Sequence, residues 1–141
     1  MSTEKADFSK LTILLIDDNK FIRRLIGEIF SVSGVGRIVE ADSADAAMLR
    51  MEETQPDVIF CDWFMEGKGG LDVLRAVRGG RVPIDPKTHF IMLTGESRPD
   101  HVSSALSEGA DAYIAKPVSA RILMTHLATL LPTDRGMHAP D

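Results

Sequence analysis

The chain has 141 residues, of which 44% are hydrophobic and 26% charged, and its formal net charge is −5. This length suits one domain with a buried core, and the acidic balance disfavours a surface made for nucleic acid, which requires clustered Lys and Arg. No apolar stretch approaches the roughly 20 residues of a membrane span, and the N-terminus is too polar for a signal peptide. A lone cysteine, Cys61, cannot form an intramolecular disulfide, so we expect a cytoplasmic protein that binds neither nucleic acid nor membranes.

Apolar runs of strand length alternate with segments of helical periodicity along the chain. Three of the runs, within residues 11–16, 58–61 and 90–93, are nearly continuous apolar stretches, which is typical of parallel strands covered on both faces. We predict strands at residues 11–16, 37–41, 58–61, 89–93 and 112–115, and helices at about 20–30, 44–55, 71–78, 99–108 and 119–131. The alternation predicts an α/β fold of three layers, a doubly wound five-stranded parallel sheet. We expect one domain at residues 10–131, with flexible ends at 1–9 and 132–141.

Polar side chains follow the carboxyl ends of four predicted strands. Asp17 and Asp18 follow the first strand and Asp62 the third, while Thr94 and Lys116 follow the fourth and fifth. Because the carboxyl ends of parallel strands lie at one edge of the sheet, we expect these side chains to meet in a single crevice. Asp62, at the end of an apolar run, is our candidate for the reactive group.

A cluster of carboxylate oxygens that contains no His or Cys ligand suits Mg²⁺. Three close carboxylates repel one another, and a divalent cation or the Lys116 ammonium relieves that repulsion. An aspartate in such a setting can attack phosphorus and form an acyl phosphate. Since phosphoryl transfer depends on charge neutralisation and positioning, Mg²⁺ and Lys116 would neutralise the phosphoryl oxygens, and the Thr94 hydroxyl would donate a hydrogen bond to one of them.

These motifs together resemble the receiver domain of response regulators in two-component signalling, in particular the stand-alone chemotaxis type. The matching segments are residues 13–19, 57–62 with Met65 and Gly70, 91–95 and 109–117. The resemblance extends from about Leu11 to Leu131 and implies a flavodoxin-like (βα)5 fold. It also implies a switch of protein contacts rather than an enzyme, since such a domain catalyses only its own phosphoryl transfer and dephosphorylation.

The resemblance implies a role for each matched position. Asp62 would accept a phosphoryl group from a histidine kinase or a histidine phosphotransfer protein. Asp17 and Asp18 would hold Mg²⁺, directly or through water, together with Asp62 and the backbone carbonyl of Phe64.

Thr94 and Tyr113 would form the switch that responds to phosphorylation. The resemblance implies that Thr94 and Lys116 contact the phosphoryl group and that Tyr113 swings inward with Thr94. The Lys116–Pro117 peptide bond is often cis in such domains, which would turn the lysine into the crevice. The output would be binding to a downstream protein target, by a monomer or by a dimer formed on phosphorylation.

One departure from the family pattern and two rival functions remain. Glu66 follows Met65 where receivers commonly have proline, which puts the rigidity of the loop in question. The chain is alternatively a receiver-like binding module that is not phosphorylated. A Mg²⁺-dependent phosphohydrolase with an aspartyl intermediate ranks lower, because it would need an acid two residues after Asp62, where this chain has Phe64.

Overall fold

The computed structural model describes residues 7–95 and 99–129, and over those residues five strands alternate with five helices. In chain order they are β1 (Thr12–Ile16), α1 (Lys20–Val32), β2 (Arg37–Ala41), α2 (Ala44–Thr54), β3 (Val58–Asp62), α3 (Gly70–Arg78), β4 (His89–Thr94), α4 (Pro99–Ser107), β5 (Ala112–Ala115) and α5 (Ala120–Thr129). None of the helices within these described ranges has the length and apolar character needed to cross a bilayer.

The five strands form one parallel sheet in the order β2-β1-β3-β4-β5. The predicted doubly wound parallel sheet is therefore confirmed. The register places Asp62 opposite Leu93 and Thr94 opposite Ala115, so the carboxyl ends of β3, β4 and β5 lie level with one another. That alignment brings the polar residues after the strands to one edge.

Side chains from alternate strand positions fill two separate cores, one on each face of the sheet. One face packs against α1 and α5, where Phe60 lies 5.0 Å from Phe30 between ring centroids. The other face packs against α2, α3 and α4. Because both faces are covered, all five residues of β3 are buried, which explains the continuous apolar runs in the sequence.

The ends of the elements differ slightly from the sequence predictions. Helix α1 continues two residues past the predicted end at Phe30, because nothing breaks it before Gly34, which adopts φ +93°. Strand β3 includes Asp62, since this residue still pairs with β4. The last two residues predicted for α5, 130 and 131, lie outside the described residues.

Candidate functional site

Three carboxylates converge at the carboxyl edge of the sheet. Asp17 and Asp18 follow β1 and Asp62 ends β3, and each offers an oxygen that lies within 4.8 Å of the others. Asp17 is fully buried, Asp62 is 7% exposed and Asp18 faces solvent. The predicted acidic crevice is therefore present, and it opens outward through Asp18.

Lys116 enters this crevice from the end of β5. Its Nζ lies 2.8 Å from Asp17 Oδ2 and 3.4 Å from Asp62 Oδ1. Its backbone N–H donates to the carbonyl oxygen of Thr94 at 2.6 Å, which ties the ends of β4 and β5 together. The Lys116–Pro117 peptide bond is cis, as the family resemblance implies. One ammonium thus bridges the buried carboxylate and the candidate reactive carboxylate.

The environment of the crevice shifts the pKa values of both Asp62 and Lys116. Burial, and then the charge of Asp17, raise the pKa of Asp62 to about 6, against the opposing effect of Lys116. Burial lowers the pKa of Lys116, but the hydrogen bond and charge contacts with Asp17 and Asp62 outweigh it and leave that pKa raised. At neutral pH Asp62 is therefore an ionised but poorly solvated carboxylate, which is suited to binding a cation or attacking an electrophile.

The two adjacent aspartates have different hydrogen-bond partners. Both oxygens of Asp17 accept bonds within the protein, Oδ1 from the N–H of Asn19 at 2.9 Å and Oδ2 from Lys116. Asp18 Oδ2 accepts the backbone N–H of Glu66 at 3.1 Å. A proline at that position would have no N–H to donate. Glu66, the residue that departs from the family pattern, thus connects the loop after β3 to the turn that contains Asp17 and Asp18, called the acidic turn below.

The remaining predicted residues surround the crevice. Thr94 is fully buried at the end of β4, and Phe64 is 51% exposed in the loop after β3. Tyr113 is half-buried, with its ring centroid 6.4 Å from that of Trp63. Trp63 also stacks on His101 of α4 at 5.0 Å between centroids, a contact that sequence reasoning missed. The aromatic residue after Asp62 is therefore packed against both α4 and β5.

A second contact that sequence reasoning missed holds the backbone of the acidic turn. Arg23 of α1 donates to the backbone carbonyl of Asp17 at 2.6 Å and pairs with Glu40 of β2 at 2.8 Å. Helical side chains lean toward the N-terminus of their helix, so an arginine in the first turn of α1 is placed to reach back to the end of β1. This position of Arg23 was the signal in the sequence that could have predicted the contact.

The donor set fits a hard divalent cation. All three side chains offer carboxylate oxygens and, among the described residues, no other group of His, Cys, Asp or Glu side chains has comparable spacing. Such donors suit Mg²⁺, which takes one or two carboxylates and retains water. The position of the Phe64 carbonyl relative to this set remains a prediction.

Fold and site together define a doubly wound α/β protein that gathers three carboxylates, a hydroxyl and an ammonium at one edge of its sheet. The family model for the response regulator receiver domain matches residues 13–128. The chain is 31% identical to the chemotaxis protein CheY of Pseudomonas aeruginosa over 130 residues, which covers 89% of this chain and 100% of that protein. It is 32% identical over 120 residues to PhoB, the phosphate regulon transcriptional regulatory protein of the same organism.

The chain belongs to the response regulator receiver domain family. It spans about half the length of PhoB, since the match covers 85% of this chain but 51% of that protein. A receiver domain from Clostridium thermocellum superposes with a TM-score of 0.79 at 27% identity, covering 90% of this chain and 98% of that one. Receiver domains of this family are phosphoacceptor switches that take phosphoryl groups from histidine kinases and bind Mg²⁺ in an acidic pocket.

Proposed function

We propose that this chain acts as a response regulator receiver that accepts a phosphoryl group on Asp62 from a histidine kinase or a histidine phosphotransfer protein. One observation carries the proposal: Asp62 ends β3 beside the Lys116 ammonium, within 4.8 Å of two further carboxylates. A buried carboxylate held next to a cation, at the mouth of a cluster that suits Mg²⁺, matches what phosphoryl transfer to an aspartate requires.

The residues of the site have different roles in phosphoryl transfer. An oxygen of Asp62 attacks phosphorus, the new P–O bond forms as the P–N bond to the donor histidine breaks, and the imidazole nitrogen takes the electron pair. Lys116 neutralises charge on the transferred oxygens, and Thr94 donates a hydrogen bond to one of them. Mg²⁺, held by Asp17, Asp18 and Asp62 with the Phe64 carbonyl, would supply further charge neutralisation.

The consequence of transfer is a change of protein contacts. A phosphoryl group adds about two negative charges beside buried groups, which biases a two-state element. Thr94 lies next to the site, and Tyr113 lies against the same tryptophan that stacks on α4. Movement of this pair would reshape the face formed by α4, β5 and α5, where a downstream protein would bind. A cytoplasmic location follows from the proposed kinase partner.

A labelling experiment tests the assignment. Incubation with a radiolabelled small acyl phosphate and Mg²⁺ should label the wild-type protein and leave Asp62→Asn unlabelled. Asp57→Asn is the matched control, since Asp57 lies next to the opposite end of β3, where it accepts a bond from the N–H of Thr12. Label that persists in Asp62→Asn would contradict the assignment.

The same protein preparations separate the rival functions. A passive binding module would take up no label and show no Mg²⁺ affinity. A phosphohydrolase would turn over a phosphomonoester such as p-nitrophenyl phosphate, and the exposed Phe64 gives it no second acid two residues beyond Asp62. Labelling of wild type without such turnover therefore supports the switch.

A further inference from the structure

The first turn of α1 carries a cation where a helix ordinarily disfavours one. The N-terminus of a helix bears partial positive charge, so Arg23 is electrostatically misplaced there. Its side chain is nevertheless only 13% exposed. Repulsion by the helix N-terminus and loss of hydration both disfavour this charge, so the buried guanidinium requires compensating partners. Those partners indicate what the residue does.

The principal partner of Arg23 is a backbone oxygen of the acidic turn. Its Nη1 donates to the carbonyl of Asp17 at 2.6 Å. The N–H of Asp17 is bound separately, by the carbonyl of Ala41 at the end of β2. Both backbone groups of Asp17 are therefore held from outside the crevice.

Holding that carbonyl also fixes the next residue. The peptide unit is planar, so the oxygen of Asp17 and the N–H of Asp18 move as one body. Rotation of this plane would turn the side chain of Asp18 relative to that of Asp17, and these side chains supply two of the three clustered carboxylates. The guanidinium thus acts on the geometry between the carboxylates without contacting their oxygens.

Glu40 fixes the guanidinium in turn. Its Oε1 accepts from Arg23 Nε at 2.8 Å, and β2 pairs directly with β1. Two nitrogens of one planar guanidinium are therefore used at once, Nε on the carboxylate and Nη1 on the carbonyl. Lysine has the charge but not this planar set of donors, so it cannot reproduce both contacts in the same geometry.

We propose that Arg23 is a positioning residue for metal binding: anchored by Glu40, it orients the peptide between Asp17 and Asp18 so that their carboxylates bind Mg²⁺ together with Asp62. This inference rests on the proposed function, because it concerns the same acidic cluster. Groups that orient metal ligands without contacting the metal typically contribute about 10- to 100-fold to metal affinity. Because Arg23 acts through the backbone, we expect the lower end of that range.

The direction of the change in Mg²⁺ affinity on removal of Arg23 distinguishes a positioning role from a purely electrostatic effect of its charge. Arg23 is a cation near a cation site, so removing it should by Coulomb's law strengthen Mg²⁺ binding. Loss of orientation should weaken it. Weaker binding in Arg23→Ala therefore cannot come from the altered charge.

The test is a MgCl₂ titration at constant ionic strength. The fluorescence of Trp63, the one tryptophan, follows binding because this residue is adjacent to Asp62, and the Mg²⁺-dependent rise in the urea midpoint gives a second measure. We expect about tenfold weaker binding in Arg23→Ala. Arg24→Ala is the matched control, since Arg24 is the exposed neighbour on α1 and its loss changes the net charge equally.

Two milder variants keep the test decisive if Arg23→Ala unfolds in the absence of metal. Arg23→Lys retains the charge, and Glu40→Gln leaves Arg23 in place with a weaker anchor, so both should bind Mg²⁺ with intermediate affinity. Labelling of these variants by an acyl phosphate should be slow at limiting Mg²⁺ and recover at saturating Mg²⁺.

The outcomes distinguish this inference from the proposed function. Mg²⁺ affinity in Arg23→Ala equal to or greater than that of Arg24→Ala would overturn the positioning role and leave the proposed function intact. Wild-type affinity in both milder variants, when Arg23→Ala does not fold, would overturn it equally. A wild-type protein that binds no Mg²⁺ would instead contradict the proposed metal site.

Discussion

We expect the carboxylate of Asp62 to destabilise the fold in the absence of metal, and its replacement by asparagine tests this expectation. Asp62 is 7% exposed and lies within a cluster of like charges. Asparagine has nearly the same shape and no charge. We therefore expect Asp62→Asn to be more stable than the wild type at neutral pH without Mg²⁺, although it removes the residue proposed to carry function.

The magnitude follows from the pKa of Asp62. A rise from the ordinary 3.8 to about 6 corresponds to about 3 kcal/mol of unfavourable free energy for the ionised form in the folded state. That pKa already includes the favourable contact with Lys116 at 3.4 Å, and solvent screening at the open side of the crevice reduces the penalty by about 1 kcal/mol. Lys116 keeps its contact with Asp17 at 2.8 Å and is not left unpaired. The net gain in the free energy of unfolding should be about 2 kcal/mol.

Urea unfolding followed by far-UV circular dichroism, with a chelator present, measures this gain. At pH 7.5 the midpoint for Asp62→Asn should exceed that of the wild type by about 1 M. Above pH 6 Asp62 is ionised in both states and the penalty is complete. As the pH falls from about 6 to about 4, the folded protein takes up the proton before the unfolded chain, so the difference between the two proteins should shrink toward zero.

Two results would refute the reasoning. One is a wild-type protein more stable than Asp62→Asn at pH 7.5; the other is a difference that does not change between pH 7.5 and pH 4. Asp42→Asn serves as the control, because it makes the same chemical change at an exposed carboxylate and should alter stability by no more than about 0.5 kcal/mol.

Two further predictions concern the scaffold around the site. Arg78 donates to three backbone carbonyls and to Asp111, and these contacts join α3 to the segments that precede β4 and β5. Arg78→Ala should therefore lower the free energy of unfolding by about 3 kcal/mol, while the exposed control Arg81→Ala should have little effect. Gly70 packs against the backbone carbonyl of Asp62, and a Cβ there would collide with it; Gly70→Ala should therefore cost about 1–3 kcal/mol in urea unfolding, and wild-type stability would contradict this.

The sequence predicted all five strands. Burial on both faces leaves a continuous apolar run in β1, β3 and β4, whereas β2 and β5 lie at the edges of the sheet and are only partly buried. Strand β5, Ala112–Ala115, has the predicted bounds, and β2 does as well. Ends were less accurate where the deciding contact is tertiary. Asp62 belongs to β3 only because β4 continues alongside it, and no local signal in the chain contains that pairing.

The residue types of the site were predictable from the sequence, but several contacts that support them were not. Topology alone brings Asp17, Asp62 and Lys116 together, since parallel strands end at one edge. The stack of Trp63 on His101 depends on how α4 packs, which periodicity does not specify. The bond from Glu66 to Asp18 is a backbone contact, so only the absence of proline could have suggested it.

The two adjacent aspartates are not equivalent, although sequence presents them as a pair. Asp17 is fully buried and uses both oxygens inside the protein, so its main role in the metal-free state is to hold Lys116 beside Asp62. Asp18 is exposed, and one of its oxygens is held by a backbone N–H while the side chain faces solvent. Asp18 therefore forms the solvent-facing side of the cluster, whereas its charge balance in the metal-free state depends on the pairing of Asp17 with Lys116. This division explains how three carboxylates can crowd one crevice in a stable fold before any metal binds.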